Sequence, residues 1–234
     1  METYFQGFTG AFVLYDLNND HYLRYNPERC AERFLPASTF KILNSLIGLE
    51  TGVIPNENYA IQWDGTQYDI PAWNQDHTLK TAIQNSVVWY YEELARRVGR
   101  EQMQHYVDAV GYGNQDISGQ ADAFWLYGAL RISADEQIEL LKRLYQDELP
   151  FSERSLRIVK EILVLEETSA YQLSGKTGAG QMGERHIGWF VGYVIENGNV
   201  YFFAANIEGT TWDANGVKAK EIALDVLRSI GLLP

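Results

Sequence analysis

The chain is poor in the residues that carry redox, metal and nucleic-acid chemistry. One cysteine, Cys30, occurs in 234 residues, which excludes an intramolecular disulfide and any CxxC element. A packed thiol is the plain reading of Cys30, because a catalytic thiol needs a histidine partner. The four histidines, His21, His77, His105 and His186, sit in no supporting motif. They also lack HxxxH or HExxH spacing, so no metal site is expected. Positive charge is scarce: 19 Lys and Arg stand against 31 Asp and Glu, a net charge of −12. Such a surface repels phosphate backbones, so nucleic acid is not an expected partner. No basic run is present to favour an anionic membrane. No apolar run approaches the roughly 20 residues that span a bilayer. No cleavable leader is visible, and a strand-like segment begins within a few residues of Met1; a mature or trimmed form with an added Met1 is expected.

What is present is 46% hydrophobic residues, enough for one well-buried domain over 1–234, with or without two lobes. Residues 10–16 are apolar and β-prone, Asn18-Asn19-Asp20 reads as a turn, and 21–26 as the partner strand. From Pro36 the apolar positions Phe40, Leu43, Leu46, Ile47 and Leu49 fall at helical spacing, with a stop at Gly52. Residues 56–77 have no clear period and read mainly as loop. Helices are expected over 78–98, interrupted near Ser86, and over 101–110, 133–147 and 152–164. Residues 111–123 are polar and glycine-rich, hence a loop. Segments 170–177, 187–196 and 199–206 then read as strands, and 216–230 as an amphipathic helix. The expectation is an α+β fold: an antiparallel sheet from about 1–35 and 166–234, flanked by terminal helices, with a helical lobe from about 36–165.

Ser38-Thr39-Phe40-Lys41 is an S-x-x-K element at the expected helix start. Positions i and i+3 share one helix face. A serine hydroxyl and a lysine amine then come within hydrogen-bond reach, as an activated nucleophile requires. An isolated S-x-x-K is also what an N-cap serine with a surface lysine looks like. Lys176-Thr177-Gly178 presents a cation and a hydroxyl at a strand end, and equally suits an ordinary strand-to-turn junction. Ser86-Val87-Val88 offers a second hydroxyl beside apolar side chains, and Tyr112-Gly113-Asn114 sits on the glycine-rich loop. A competing reading exists for 170–177, which fits the loose phosphate-loop pattern A/G-x-x-x-x-G-K-T. Nucleotide binding there requires inner glycines and a helix directly after the lysine. The inner residues here are Tyr, Gln and Leu, and glycines followed by an aromatic strand come next.

In this order and spacing the four elements resemble the motifs of the class D (oxacillinase-type) β-lactamases: S-x-x-K, S-x-V, Y-G-N and K-T-G. The phrases Ile47–Ile54, Phe124-Trp125-Leu126, Leu130–Ser133 and Val200–Ala204 are similar too, so the resemblance covers nearly the whole chain. It implies a two-lobe fold like that of serine β-lactamases and penicillin-binding proteins. It also implies β-lactam hydrolysis through a serine acyl-enzyme. Ser38 would be the nucleophile and Lys41 the general base, carboxylated by CO2. Ser86 and Lys176 would carry a proton to the leaving nitrogen, and the N–H groups of Ser38 and Ala179 would hold the oxyanion. Trp125 would donate to the carbamate, with Val88 and Phe40 as its apolar walls. Trp73, Val88, Tyr112, Thr177, Gly178, Ala179 and Lys220 would meet the substrate.

No metal or separate cofactor is implied beyond that carbamate. The partner is a small β-lactam, the state a monomer or homodimer, and the location periplasmic or secreted. One departure stands out. Many members carry an arginine near the chain end for the substrate carboxylate. Here the region reads Gly216-Val-Lys218-Ala-Lys220-Glu221, so Lys220, or failing it Lys218, is the nearest cation. A lysine cannot form the planar bidentate pair. The β-lactam-sensing domains of membrane receptors share this fold and acylate without efficient hydrolysis. They often carry a polar third residue in the S-x-V element, where this chain has Val88. A penicillin-binding transpeptidase is the more distant relative reading.

Overall fold

The computed structural model describes residues 1–234. Its strands in chain order are β1 Thr9–Asp16, β2 His21–Tyr25, β3 Arg33–Phe34, β4 Ala60–Ile61, β5 His77–Thr78, β6 Ile132–Ser133, β7 Val164–Glu167, β8 Tyr171–Met182, β9 Arg185–Glu196 and β10 Asn199–Gly209. The α-helices are α1 Pro27–Ala31, α2 Lys41–Glu50, α3 Leu79–Gln84, α4 Val88–Val98, α5 Arg100–Val110, α6 Phe124–Tyr127, α7 Ala134–Tyr145, α8 Glu153–Ile162 and α9 Gly216–Ser229. Six strands form one sheet in the order β2-β1-β10-β9-β8-β7, with antiparallel pairing throughout.

The central strands read as nearly unbroken apolar runs because both sheet faces are covered. Alternation sorts their side chains into two cores. Ala11, Val13, Tyr15, Trp189, Val191, Tyr193, Phe202 and Ala204 join the larger core with the helices of the middle segment. Phe12, Leu14, Phe190, Val194, Phe203, Ala205 and Ile207 join the smaller core, which α9 closes with Ala219, Ile222, Ala223 and Val226.

Several features differ from the sequence expectation, among them β8, expected over 170–177, which runs on to Met182. The sheet starts at Val164, not near 166, because β7 pairs with β8 directly after α8. Helix α7, expected in a helical lobe, packs on β1, β9 and β10. Its start is set by a reciprocal capping box: Ser133 Oγ accepts from Glu136 N at 3.1 Å, and Glu136 Oε2 accepts from Ser133 N at 2.8 Å. Residues 27–31 form a short helix that the sequence did not suggest, entered through Asn26 and Pro27. Cys30 is a packed thiol, fully buried, and burial pushes its pKa up to about 12.

Candidate active site

The site begins with backbone geometry. Ser38 lies in a 3-10 turn, Ala37–Phe40, that runs straight into α2. Ala37 just before it takes a positive φ of 49°, a conformation an L-residue holds only under constraint. The constraint is visible. Thr39 Oγ1 donates to Pro36 O at 2.7 Å, and Gln137 Nε2 of α7 donates to Thr39 Oγ1 at 2.8 Å. Gly178 closes the other side: a Cβ there would stand 3.1 Å from Pro36 O, so β8 and the nucleophile turn meet at van der Waals limit. That is a physical reason for glycine in Lys176-Thr177-Gly178.

The i, i+3 spacing places Lys41 Nζ 3.0 Å from Ser38 Oγ. Lys41 is wholly buried. Its Nζ also donates to Ser86 O at 2.6 Å and lies 3.1 Å from Ser86 Oγ. Ser86 fills the break between α3 and α4, with φ of 53°. That left-handed turn aims its carbonyl at Lys41 and its hydroxyl at both Lys41 and Lys176. Lys176 reaches in from β8, and its Nζ donates to Ser86 Oγ at 3.0 Å. Burial and then the nearby Lys176 charge hold the Lys41 pKa well below that of an ordinary lysine. Burial, with Lys220 second, brings Lys176 down to about 7.

Behind this row stands an aromatic wall. Helix α6 carries Trp125, fully buried and stacked on Phe40 with centroids 5.4 Å apart. The Trp125 indole N–H is buried and has no hydrogen-bond partner. Tyr91 adds its ring face, 5.4 Å from Lys41 Nζ, and its hydroxyl lies 2.8 Å from Ser45 Oγ.

In front lies a cleft of about 490 Å³, bordered by Ser38, Trp73, Ser86, Val88, Thr177, Gly178 and Ala179. Trp73 is fixed there by its indole N–H, which donates to Asn85 O at 3.0 Å. Ile70, Leu126, Tyr127, Trp212, Asn215, Gly216 and Val217 complete the walls. The sequence pointed to none of Ile70, Tyr127, Trp212 and Asn215. Ile70 and Tyr127 lie on stretches without a usable period, and Trp212 on the loop before α9. Gly216 lets α9 approach β8, since a Cβ there would stand 2.8 Å from Gly178 O.

Two expected substrate contacts are corrected. Tyr112 does not reach the cleft; it is 2% exposed and meets Phe40 edge-on at 5.3 Å. The rest of its motif is a tether: Asn114 Nδ2 donates to Ala129 O at 2.8 Å, and Asn114 Oδ1 accepts from Arg131 N at 2.8 Å. The motif therefore anchors the segment following α6. Lys220 also lies outside the cleft. It borders a separate pocket of about 100 Å³ with Gly175, Lys176 and Thr177, its Nζ 5.7 Å from the Phe190 ring centroid. Only Thr177 faces both spaces along with the β8 edge. Lys218 is engaged by Glu221.

The nucleotide-loop reading of 170–177 is overturned. Residues Tyr171–Met182 form one straight strand paired residue by residue with β9. An extended strand cannot curl its N–H groups around a phosphate, and no helix follows Lys176.

The family model of the penicillin-binding protein transpeptidase domain matches residues 10–228. β-Lactamase OXA-48 of Klebsiella pneumoniae is 45% identical over 96% of this chain and 84% of its own length. Regulatory protein BlaR1 of Bacillus licheniformis is 42% identical over 99% of this chain, which spans only 39% of that protein. Among solved structures, the class D β-lactamase YbXI from Nostoc superposes with a TM-score of 0.93 at 46% identity, covering 97% of this chain and 95% of that one. The serine–lysine–serine–lysine row and these likenesses agree: the chain belongs to the class D β-lactamases, serine hydrolases on the penicillin-binding transpeptidase fold.

Proposed function

We propose that this chain hydrolyses β-lactams through an acyl-enzyme on Ser38, with Lys41 in its carbamate form as general base. One observation carries the reading. Lys41 Nζ sits buried between Ser38 Oγ and Ser86, while on the ring stacked against the adjacent residue Phe40 the Trp125 N–H is buried without a partner. A buried donor left unpaired is costly, by roughly 1–3 kcal/mol. An acceptor added at the end of Lys41 relieves it. Carbamylation joins the neutral amine nitrogen to the carbon of CO2 and releases one proton. Burial supplies the neutral amine, and Val88, Phe40 and Trp125 keep the pocket apolar. The carbamate supplies an anionic oxygen base at that position.

The chain's own groups account for the remaining steps. Ser38 Oγ attacks the lactam carbonyl, and the N–H groups of Ser38 and Ala179 receive the developing oxyanion. Ser86 Oγ, bonded to Lys176, passes a proton to the leaving nitrogen. Lys176, near its half-protonated point at neutral pH, resupplies it. Thr177 holds the substrate carboxylate, with Lys176 Nζ 3.5 Å from its hydroxyl and Lys220 in the pocket behind it. The site of action is periplasmic or secreted, where β-lactams arrive, and no helix is long and apolar enough to cross a membrane.

A second reading rests on the likeness to BlaR1: a sensor that acylates and then holds the adduct. Val88, an apolar residue at the cleft wall beside Ser86, favours the hydrolase. Turnover of a chromogenic cephalosporin, with intact-mass spectra over time, separates the two. A hydrolase shows a transient adduct and many turnovers; a sensor shows a lasting adduct and about one. Ser38→Ala removes the adduct in either case. An adduct that persists on that variant refutes the nucleophile.

A further inference from the structure

Trp212 is 58% exposed, an unusual position for a residue with so much apolar surface. It lies on the loop between β10 and α9 and forms part of the cleft wall. Its neighbours hold it in place. Asn215 Nδ2 donates to Trp212 O at 2.7 Å, while Asn215 Oδ1 caps α9 by accepting from Val217 N at 2.9 Å and Lys218 N at 3.1 Å. The indole ring itself rests on His186, with centroids 4.3 Å apart. His186 is 9% exposed, and its Nδ1 is buried without a hydrogen-bond partner. Polar bonding at that nitrogen therefore does not explain the residue; its ring contact with Trp212, tilted at 48°, does. Two nearby carboxylates already have partners. Glu208 is taken by Arg185 and approached by Arg29, and Asp213 by Thr211.

Register gives the ring a direction. His186 lies opposite Gln181 on β8, two residues past Ala179 and away from Thr177. On the reading above, the reacting carbonyl sits at Ala179 and the substrate carboxylate toward Thr177. The acyl substituent of the β-lactam amide then extends past Ala179 to the Trp212 end of the cleft.

We infer that Trp212 is a specificity-determining residue that stacks on aromatic acyl side chains of β-lactams, and that His186 is the positioning residue that sets its ring. The inference rests on the Ser38 acylation reading and adds a substrate preference to it. Tyr127 and Ile70, both exposed at the same cleft, give the substituent an apolar setting. An aromatic pair in such a setting gives about tenfold in affinity.

The test compares oxacillin, with a bulky aromatic acyl group, against 6-aminopenicillanic acid, which has none. Acylation is followed by intact mass over a range of substrate concentrations. Trp212→Ala raises the half-saturating concentration for oxacillin about tenfold more than that for the small substrate. His186→Ala shifts oxacillin the same way, and His186→Phe, which keeps a ring under the indole, restores it. Equal losses on both substrates, or no restoration by His186→Phe, overturn the assignment. A wild-type protein that neither substrate acylates overturns the Ser38 reading, and this inference with it.

Discussion

Lys176 Nζ meets Ser86 Oγ at 3.0 Å across 90 residues of sequence. The same hydroxyl lies 3.1 Å from Lys41 Nζ. One serine thus joins two buried lysines, in a low-dielectric site that disfavours the charged form of each. Its pH behaviour follows first from burial and second from the neighbouring charges, Lys176 for Lys41 and Lys220 for Lys176.

Lys176 titrates near 7 in the folded chain against 10.5 for an ordinary lysine. The unfolded chain keeps that proton up to about 10.5 and the folded chain releases it near 7. Between these values the unfolded state binds more protons, so stability rises with pH across this window. Below 7 the full penalty of burying the cation is present. Lys176→Met keeps the bulk and removes the charge. It is expected to be more stable than wild type at pH 7, by a few kcal/mol, while losing most acylation. Urea unfolding at pH 6, 7 and 9 checks this, and a stability difference that does not shrink as pH rises contradicts it.

Lys41 is held far below an ordinary lysine by burial and by Lys176. Carbamylation needs the neutral amine, and protonation drives CO2 off. Turnover is expected to fall below neutral pH and to recover when bicarbonate is added. Labelled bicarbonate should give one carbamate resonance in the carbon-13 spectrum, absent in Lys41→Ala. Trp125→Ala weakens that resonance and, by emptying a core position, lowers stability by about 3–5 kcal/mol. Full activity at neutral pH with no resonance and no bicarbonate effect means that Lys41 acts as a free amine.

Val88 is the first residue of α4 and borders the cleft next to Ser86. Val88→Asn brings a polar group and its water to the base. Acylation should remain within a fewfold of wild type, and deacylation should slow by roughly tenfold or more, about 1.4 kcal/mol in barrier. Single-turnover mass spectra separate the two steps. An unchanged deacylation rate shows that the apolar wall is not needed.

Lys220 stands behind Thr177 without an ion-pair partner. If its field reaches the substrate carboxylate, Lys220→Ala raises KM a fewfold and leaves kcat nearly constant, the pattern of lost uniform binding. Steady-state kinetics in low and high salt check it, since a screened interaction fades with ionic strength. A KM that does not move assigns the carboxylate to Thr177 alone.

Much of this was written locally in the chain. The 3.6-residue period marked α2, α5, α7, α8 and α9 within a few residues, and the aromatic runs marked β8, β9 and β10. The spacing of Ser38 and Lys41 dictates their contact, because residues three apart share one helix face. Glycine at 178 is legible as a motif residue, although its reason, the close pass of Pro36 O, is not.

Tertiary packing decided the rest. Tyr112 and Lys220 carry side chains that suit a binding site, yet the first is sealed against Phe40 and the second lies in a neighbouring pocket. Which side of a fold such a residue faces depends on how distant elements dock, and sequence spacing holds no record of that. The same is true of Gln137 bracing the nucleophile turn across 98 residues, and of His186 beneath Trp212. The sequence alone determined which residues could react, since periodicity encodes contacts within one element. Only the three-dimensional packing decided which of them share one buried space, because contacts between elements depend on long-range approach and on the water that approach excludes.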